Sequence, residues 1–303
     1  MPATGDRDAS GLRHWRDWQS LAYLAALPTL AGWQWIDGFW WPAYAVMLFL
    51  TVGTGVIHHN HAHLRIWRGR HRNRITDFAI TLLQGHPACA FWPTHIGNHH
   101  RHKHGEADLA RTYRFGGGDT NNLAGYLLHP VQAAWVLYPR VLRWLAGLRR
   151  RSPGAFRYCM AQYAIWLTSW VLLLALDWQR ALLFVIVPQL FGLHWLLAAN
   201  YLQHAHADGR SGAFDYARNF GGLVNPLLFN IGYHTAHHEH PQLHWTKLPG
   251  LHQRNYLGHI NPVLNEASLS HYVLRTFVLG AALPRFRSRS LMPPAGRRGG
   301  RGQ

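Results

Sequence analysis

Gly232-Tyr-His-Thr-Ala-His-His-Glu-His-Pro241, continuing through Trp245 to Pro249, is the stretch on which the reading of this chain turns. It carries His234, His237 and His238. Residues three and four apart share one face of a helix, so this spacing aims three imidazoles at one spot. Two more clusters lie upstream. His58-His-Asn-His-Ala-His63 closes a long apolar run, and His95-Ile-Gly-Asn-His-His-Arg-His-Lys-His104 lies in the loop that follows. In the first cluster His59 and His63 share a face, with His58 or His61 as alternatives to His59. In the second, His95, His99 and His100 form the pattern HxxxHH. His102 and His104 read as part of a solvated basic strip with Arg101 and Lys103.

Composition points the same way. The 303 residues include 24 His against 13 Asp plus Glu, so a metal site here must rest on neutral imidazole. Imidazole suits iron, zinc, copper and nickel rather than magnesium or calcium. The two cysteines, Cys89 and Cys159, are too few for a disulfide framework or a thiolate zinc site. A formal charge of +17 calls for an anionic neighbour. Nucleic acid is set aside because no recognition motif accompanies the charge. A phospholipid surface remains.

Long apolar runs alternate with basic ones. Leu21–Ile36, Phe39–Ile57, Tyr158–Leu176 and Ala181–Ala199 approach or reach the length that crosses a hydrocarbon layer about 30 Å thick. They pair as two hairpins turning at Asp37-Gly38 and Asp177–Arg180. The fold expected is an all-α integral membrane protein: four transmembrane helices, residues 21–36, 39–57, 158–176 and 181–199, and a cytosolic helical cap that holds the metal site. It forms one domain over residues 1–283, with a disordered basic tail over 284–303. Ile75–Trp92 reads as interfacial or re-entrant, Phe115–Thr120 as a glycine-rich turn, and Ser268–Leu283 as a last amphipathic helix. Leu123–Leu148 reads as a surface helix broken at Pro130 and Pro139. His194 is expected to be buried and hydrogen-bonded. No cleaved signal peptide is apparent in Met1–Ser20. Between Leu64 and Arg157 there are 15 Lys or Arg against 4 Asp or Glu. That bias places the long loop, the histidines and both termini on the cytoplasmic side, in a bacterial inner membrane. The arginines at 65–74, 111–114 and 149–157 then read as anchors to the membrane surface.

His59/His63, His95/His99/His100 and His234/His237/His238 together resemble the three histidine boxes of the integral-membrane fatty acid desaturase and hydroxylase superfamily. GYHTAHHEHP followed by HWTKLP is similar to that family's third-box region, and the resemblance spans roughly Gly55 to Pro249. It implies two non-haem irons, O2 as co-substrate, and an acyl lipid or acyl carrier as substrate. It also implies His204 as a further ligand and Asn200 as a second-shell or water-mediated one. Asp108, Glu106 and Glu239 are candidates to orient the imidazoles. With no fused haem domain in view, the electron donor is expected to be a separate protein of ferredoxin, rubredoxin or small cytochrome type. Loss of two hydrogens gives an alkene, whereas hydroxyl transfer gives an alcohol. The resemblance favours desaturation, with hydroxylation or ketolation on the same scaffold as the alternative. A histidine-rich membrane metal transporter or sensor is the rival of another class. It would need ionisable residues along a path through the bilayer, and the spans hold almost none.

Overall fold

In the computed structural model, which describes residues 11–112, 119–211 and 213–292, helices dominate. Up to the third histidine cluster they are, in chain order, α1 (Trp18–Asp37), α2 (Trp41–His63), α3 (Arg70–Gln84), the short turn α4 (His100–His102), α5 (Leu123–Arg151), α6 (Pro153–Ala181), α7 (Val187–His204), the short α8 (Val224–Leu227) and α9 (His234–Glu239); shorter helical pieces follow. A π-helical segment, Trp92–His99, runs into α4. Two strands of two residues each, β1 (Asn219–Phe220) and β2 (Asn265–Glu266), pair in parallel. The glycine-rich turn at Phe115–Thr120 falls largely outside the described residues, as do the first ten residues and 293–303.

Two stretches are long and apolar enough to cross a membrane: Trp41–His63, and Pro153–His204 taken as one 52-residue stretch. The second folds back on itself. Asp177 leaves the helical region (φ −159, ψ 98), and its carboxylate accepts the N–H of Arg180 at 3.0 Å. Across this bend, Trp170 Nε1 donates to Gln189 Oε1 at 2.7 Å, and Gln189 Nε2 donates to the Leu82 carbonyl at 2.6 Å. The turn between α1 and α2 depends on Gly38, whose φ of 100 an L side chain would resist. α1 covers the whole of the expected Leu21–Ile36 run, although its apolarity falls short of the two stretches above.

The packing of α2 on α7 positions the site. A Cβ placed on Gly192 would stand 3.0 Å from Thr51 Cβ, and one on Gly55 would stand 3.4 Å from Leu196. Small residues let the two backbones approach closely. Both contacts advance by four residues, from 51 to 55 on α2 and from 192 to 196 on α7, so the helices run parallel. Continuing that step leads to His59 and Asn200, then to His63 and His204. The two helices therefore present their histidines at one end.

Three expectations are corrected. α5 runs unbroken through Pro130 and Pro139. Two lost amide hydrogen bonds are offset by packing of its buried face, including Tyr126, Ala133 and Val141. His194 is only half-buried, its ring edge-on to Trp195. Residues 284–292 are not free: Pro284–Phe286 forms a helical turn, Ser288 exchanges hydrogen bonds with Asn121, and Leu291 N–H donates to the His206 carbonyl. Ile75–Trp92 divides into the end of α3, a 3-10 turn at Ala88–Ala90 and the start of the π-helical segment. Residues Leu269–Ala282 are helical, as expected for the last amphipathic segment.

Candidate metal centre

The nine histidines singled out above all converge, in two groups. The first holds His59, His63, His95, His100 and His237; the second holds His99, His204, His234 and His238. Within each group the nitrogens lie within 4.8 Å of one another. The groups adjoin, with the His100 and His238 rings stacked at 4.3 Å between centroids.

The groups do not follow the sequence clusters. In the π-helical segment the N–H of His100 bonds to the carbonyl of His95, a five-residue step. That step sets His95 edge-on to His100, with Nε2 atoms 3.0 Å apart, and turns His99 toward the other group. Arg140 of α5 holds this register, donating to the carbonyls of Pro93 at 2.6 Å and Gly97 at 2.9 Å. On α9 the four-residue step joins His234 to His238 at 3.1 Å, and His237 points to the first group, 3.1 Å from His100 and 2.7 Å from His59. His204, at the end of α7, lies 3.2 Å from His99 and 3.0 Å from His234.

The outer nitrogens show which tautomer several rings carry. His204 Nδ1 faces the Tyr216 carbonyl at 2.8 Å, so it must bear the proton and leave Nε2 as a lone pair. His99 Nδ1 donates to Asp108 Oδ2 at 2.7 Å, so a neutral His99 also presents a lone pair at Nε2. Two lone pairs facing each other at 3.2 Å repel unless a cation sits between them. A metal–nitrogen distance of about 2.1 Å would hold neighbouring ligands at right angles about 3.0 Å apart. The spacings above match that value, and the all-imidazole donor set suits iron, zinc, copper or nickel. His63 Nε2 fits the same account: it is buried without a hydrogen-bond partner.

Asp108 is fully buried and carries the most weight outside the ligand nitrogens. It accepts His99 Nδ1–H and the N–H groups of His104 and Ala110, the latter two at 2.9 Å. Lys103 (φ 41) and His104 (φ 65), both in the left-handed region, turn the chain after α4 and bring Asp108 back beneath His99. Burial would raise the Asp108 pKa, but the His99 ring and the Ala110 N–H hold it below 3.8. Burial pushes His95, His100, His234, His237 and His238 well below 6.5, and neighbouring imidazoles push further. Ligand nitrogens must be unprotonated to bind a metal, so these rings are prepared for it.

The other candidates fall elsewhere. Glu106 is exposed and pairs with Arg210 at 3.1 Å. Glu239 accepts from Lys103 at 2.6 Å and from Tyr216 Oη at 2.5 Å, not from an imidazole. Asn200 borders the cavity beside the histidines and donates to the Ala110 carbonyl at 3.3 Å. His58 faces away, bonded to Gln84 at 2.5 Å and to the Ala88 carbonyl at 3.1 Å. His61 accepts from the Ile66 N–H and lies 3.4 Å from Asp77. His59 therefore belongs to the group, and neither alternative does. His104, expected in solvent, is buried and stacked on His204, with its pKa lowered to about 3 by burial. Its sequence neighbours Lys103 and Arg101 masked this. The Tyr216 carbonyl had no sequence signal, because any residue supplies one.

A cavity of 1010 Å³ reaches the histidines, touching His59, His95, His99 and His234. Most of its wall is apolar, from α2 (Phe49, Val52), α7 (Leu190, Leu193) and the segment after β2 (Val273, Leu274).

The sequence matches the fatty acid desaturase family over residues 38–262, about three quarters of the chain. The chain belongs to the fatty acid desaturase family. No individual curated protein matches it. Membership makes this desaturase-family protein an oxidoreductase of the desaturase and hydroxylase type, and leaves no support for the metal transporter or sensor.

Proposed function

We propose that this protein is an integral-membrane, O2-dependent acyl-lipid desaturase with two irons held by the nine histidines. The observation that carries this reading is the apolar cavity ending on both histidine groups, which suits an alkyl chain better than a polar substrate. His59, His63, His95, His100 and His237 would hold one iron, and His99, His204, His234 and His238 the other. Bound there, the irons would supply the oxidising power that an unactivated C–H bond demands. An acyl CH2–CH2 unit and O2, with two electrons and two protons, would become CH=CH and two waters.

The chain's own part is positioning and exclusion. Asp108 and the Tyr216 carbonyl orient His99 and His204 and raise their donor strength. Phe49, Val52, Leu190 and Leu193 shape the cavity and so select which carbons lie beside the histidines. Four spans, from α1, α2, α6 and α7, and a cytoplasmic cap in a bacterial inner membrane complete the reading. Basic anchors and the shared histidine end of α2 and α7 support that arrangement. Electrons would come from a separate small iron–sulfur or cytochrome-type carrier.

The test is expression in a host of known lipid profile, with lipids compared by mass spectrometry against a His238→Ala control. New acyl chains lighter by two hydrogens, absent from the control, support desaturation. Chains heavier by one oxygen would replace it with hydroxylation on the same scaffold. An unchanged profile from protein that retains two irons would defeat both. His238→Ala itself should insert normally but lose iron.

A further inference from the structure

The helical segment from Leu269 to Leu279 separates two spaces. Leu269, Val273, Leu274 and Val278 line the apolar cavity, whereas Arg275 lines a second cavity of 610 Å³. Four arginines from three separate stretches of chain border this second space: Arg218, Arg275, and Arg287 with Arg289. Glu266 is the carboxylate among its lining residues. Behind the wall, Asp119 accepts from Ser290 Oγ at 2.9 Å. Positive charge stays in excess even with both carboxylates ionised.

Arg218, Arg275 and Arg287 are held in place while only part of their charge is neutralised. Arg218 is 1% exposed, a charge removed from water. It donates to the carbonyls of Ala205 at 3.3 Å and Val263 at 2.6 Å, to Glu266 Oε1 at 2.9 Å, and lies 4.3 Å over the Tyr272 ring. Arg275 uses the same Glu266 oxygen at 2.8 Å and the same ring at 5.7 Å. One carboxylate thus serves two guanidinium groups. Arg287 is held by the Gly280 and Ala281 carbonyls at 2.8 and 3.4 Å. Carbonyls fix a guanidinium but do not cancel its charge. Fixed, planar donors of this kind match the oxygens of a phosphate.

We propose that this pocket binds a phosphate group, carried either by a lipid headgroup or by a soluble phosphate ester. A carboxylate brings one charge to a pocket with more than one in excess; a phosphate monoester brings close to two. The assignment does not depend on which reaction occurs at the histidines.

The test uses the purified full chain. In neutral detergent, inorganic pyrophosphate is titrated at fixed ionic strength and the rise in melting temperature gives its affinity. In nanodiscs containing phosphatidic acid, native mass spectrometry counts retained lipid. Arg275→Gln and the exposed Arg289→Gln are compared with Arg254→Gln, which removes one charge at an exposed position outside both cavities. Loss of one charge-assisted contact should weaken a probe about tenfold or more in Arg275→Gln, and measurably in Arg289→Gln, with the Arg254 variant unchanged. Loss of lipid retention assigns the headgroup; an effect on pyrophosphate alone assigns the soluble ester. The proposal is overturned if both pocket variants bind both probes like wild type, or if the Arg254 variant weakens them equally. The first result would leave an adventitious cluster and the second a diffuse surface charge.

Discussion

Asp108→Asn isolates the role of the buried carboxylate behind His99. Oδ2 of Asp108 takes two donors, His99 Nδ1 and the His104 N–H, and Oδ1 takes a third, the Ala110 N–H. An amide has only one oxygen. Turned to keep the pair at the Oδ2 position, it sets its NH2 against the Ala110 N–H and leaves that donor unpaired. The side chain also loses the negative charge that strengthens His99 as a ligand. Substitutions behind a metal ligand typically weaken metal binding about 10- to 100-fold, or about 1.4–2.7 kcal/mol. The unpaired donor costs stability of about 1–3 kcal/mol more. The assay loads the purified protein with iron and titrates in a chelator, reading iron per chain and melting temperature together. The metal of the His99 group should leave at lower chelator concentration, while the His59 group stays loaded. Equal chelator profiles for mutant and wild type, or earlier loss from the His59 group, would refute the reasoning.

Arg140→Ala should strip metal without touching a ligand, because the Pro93 and Gly97 carbonyls lose the donor that holds the π-helical register; an unchanged iron content would show that the register holds itself. Gly192→Leu should push α7 off Thr51 and lower the melting temperature by an amount equivalent to about 1–3 kcal/mol, with iron loss following because His204 moves; wild-type stability would discount the close approach. Acidification should release metal. His95, His100, His234, His237 and His238 have pKa values below 6.5 in the folded chain, so the unfolded chain binds more protons under that pH. Their contribution to stability is complete above 6.5 and declines as pH falls from there. Melting temperature and bound iron followed from about pH 8 to about pH 5 should drop together, and flat curves would contradict the sign.

The histidine spacings brought out eight of the nine members of the two groups, because three- and four-residue steps on a helix need no tertiary information; His204 came from the family resemblance. Apolar length and charge asymmetry likewise located the runs that became α1, α2, α6 and α7. Spacing could not assign each ring to its group. His99 and His100 are neighbours in sequence, yet the five-residue step of the π-helical segment and the grip of Arg140 send them to different groups. His59 was separable from His58 and His61 only once α2 had packed against α3 and the Ala88 turn, whose Gln84 and Ala88 oxygens take up His58. The Tyr216 carbonyl, the burial of His104, the unbroken run of α5 through two prolines and the anchoring of residues 284–292 depend on contacts between segments far apart in the chain. Local pattern establishes which side chains can bind a metal; only packing decides which of them meet, and which oxygen holds the proton side of each ring.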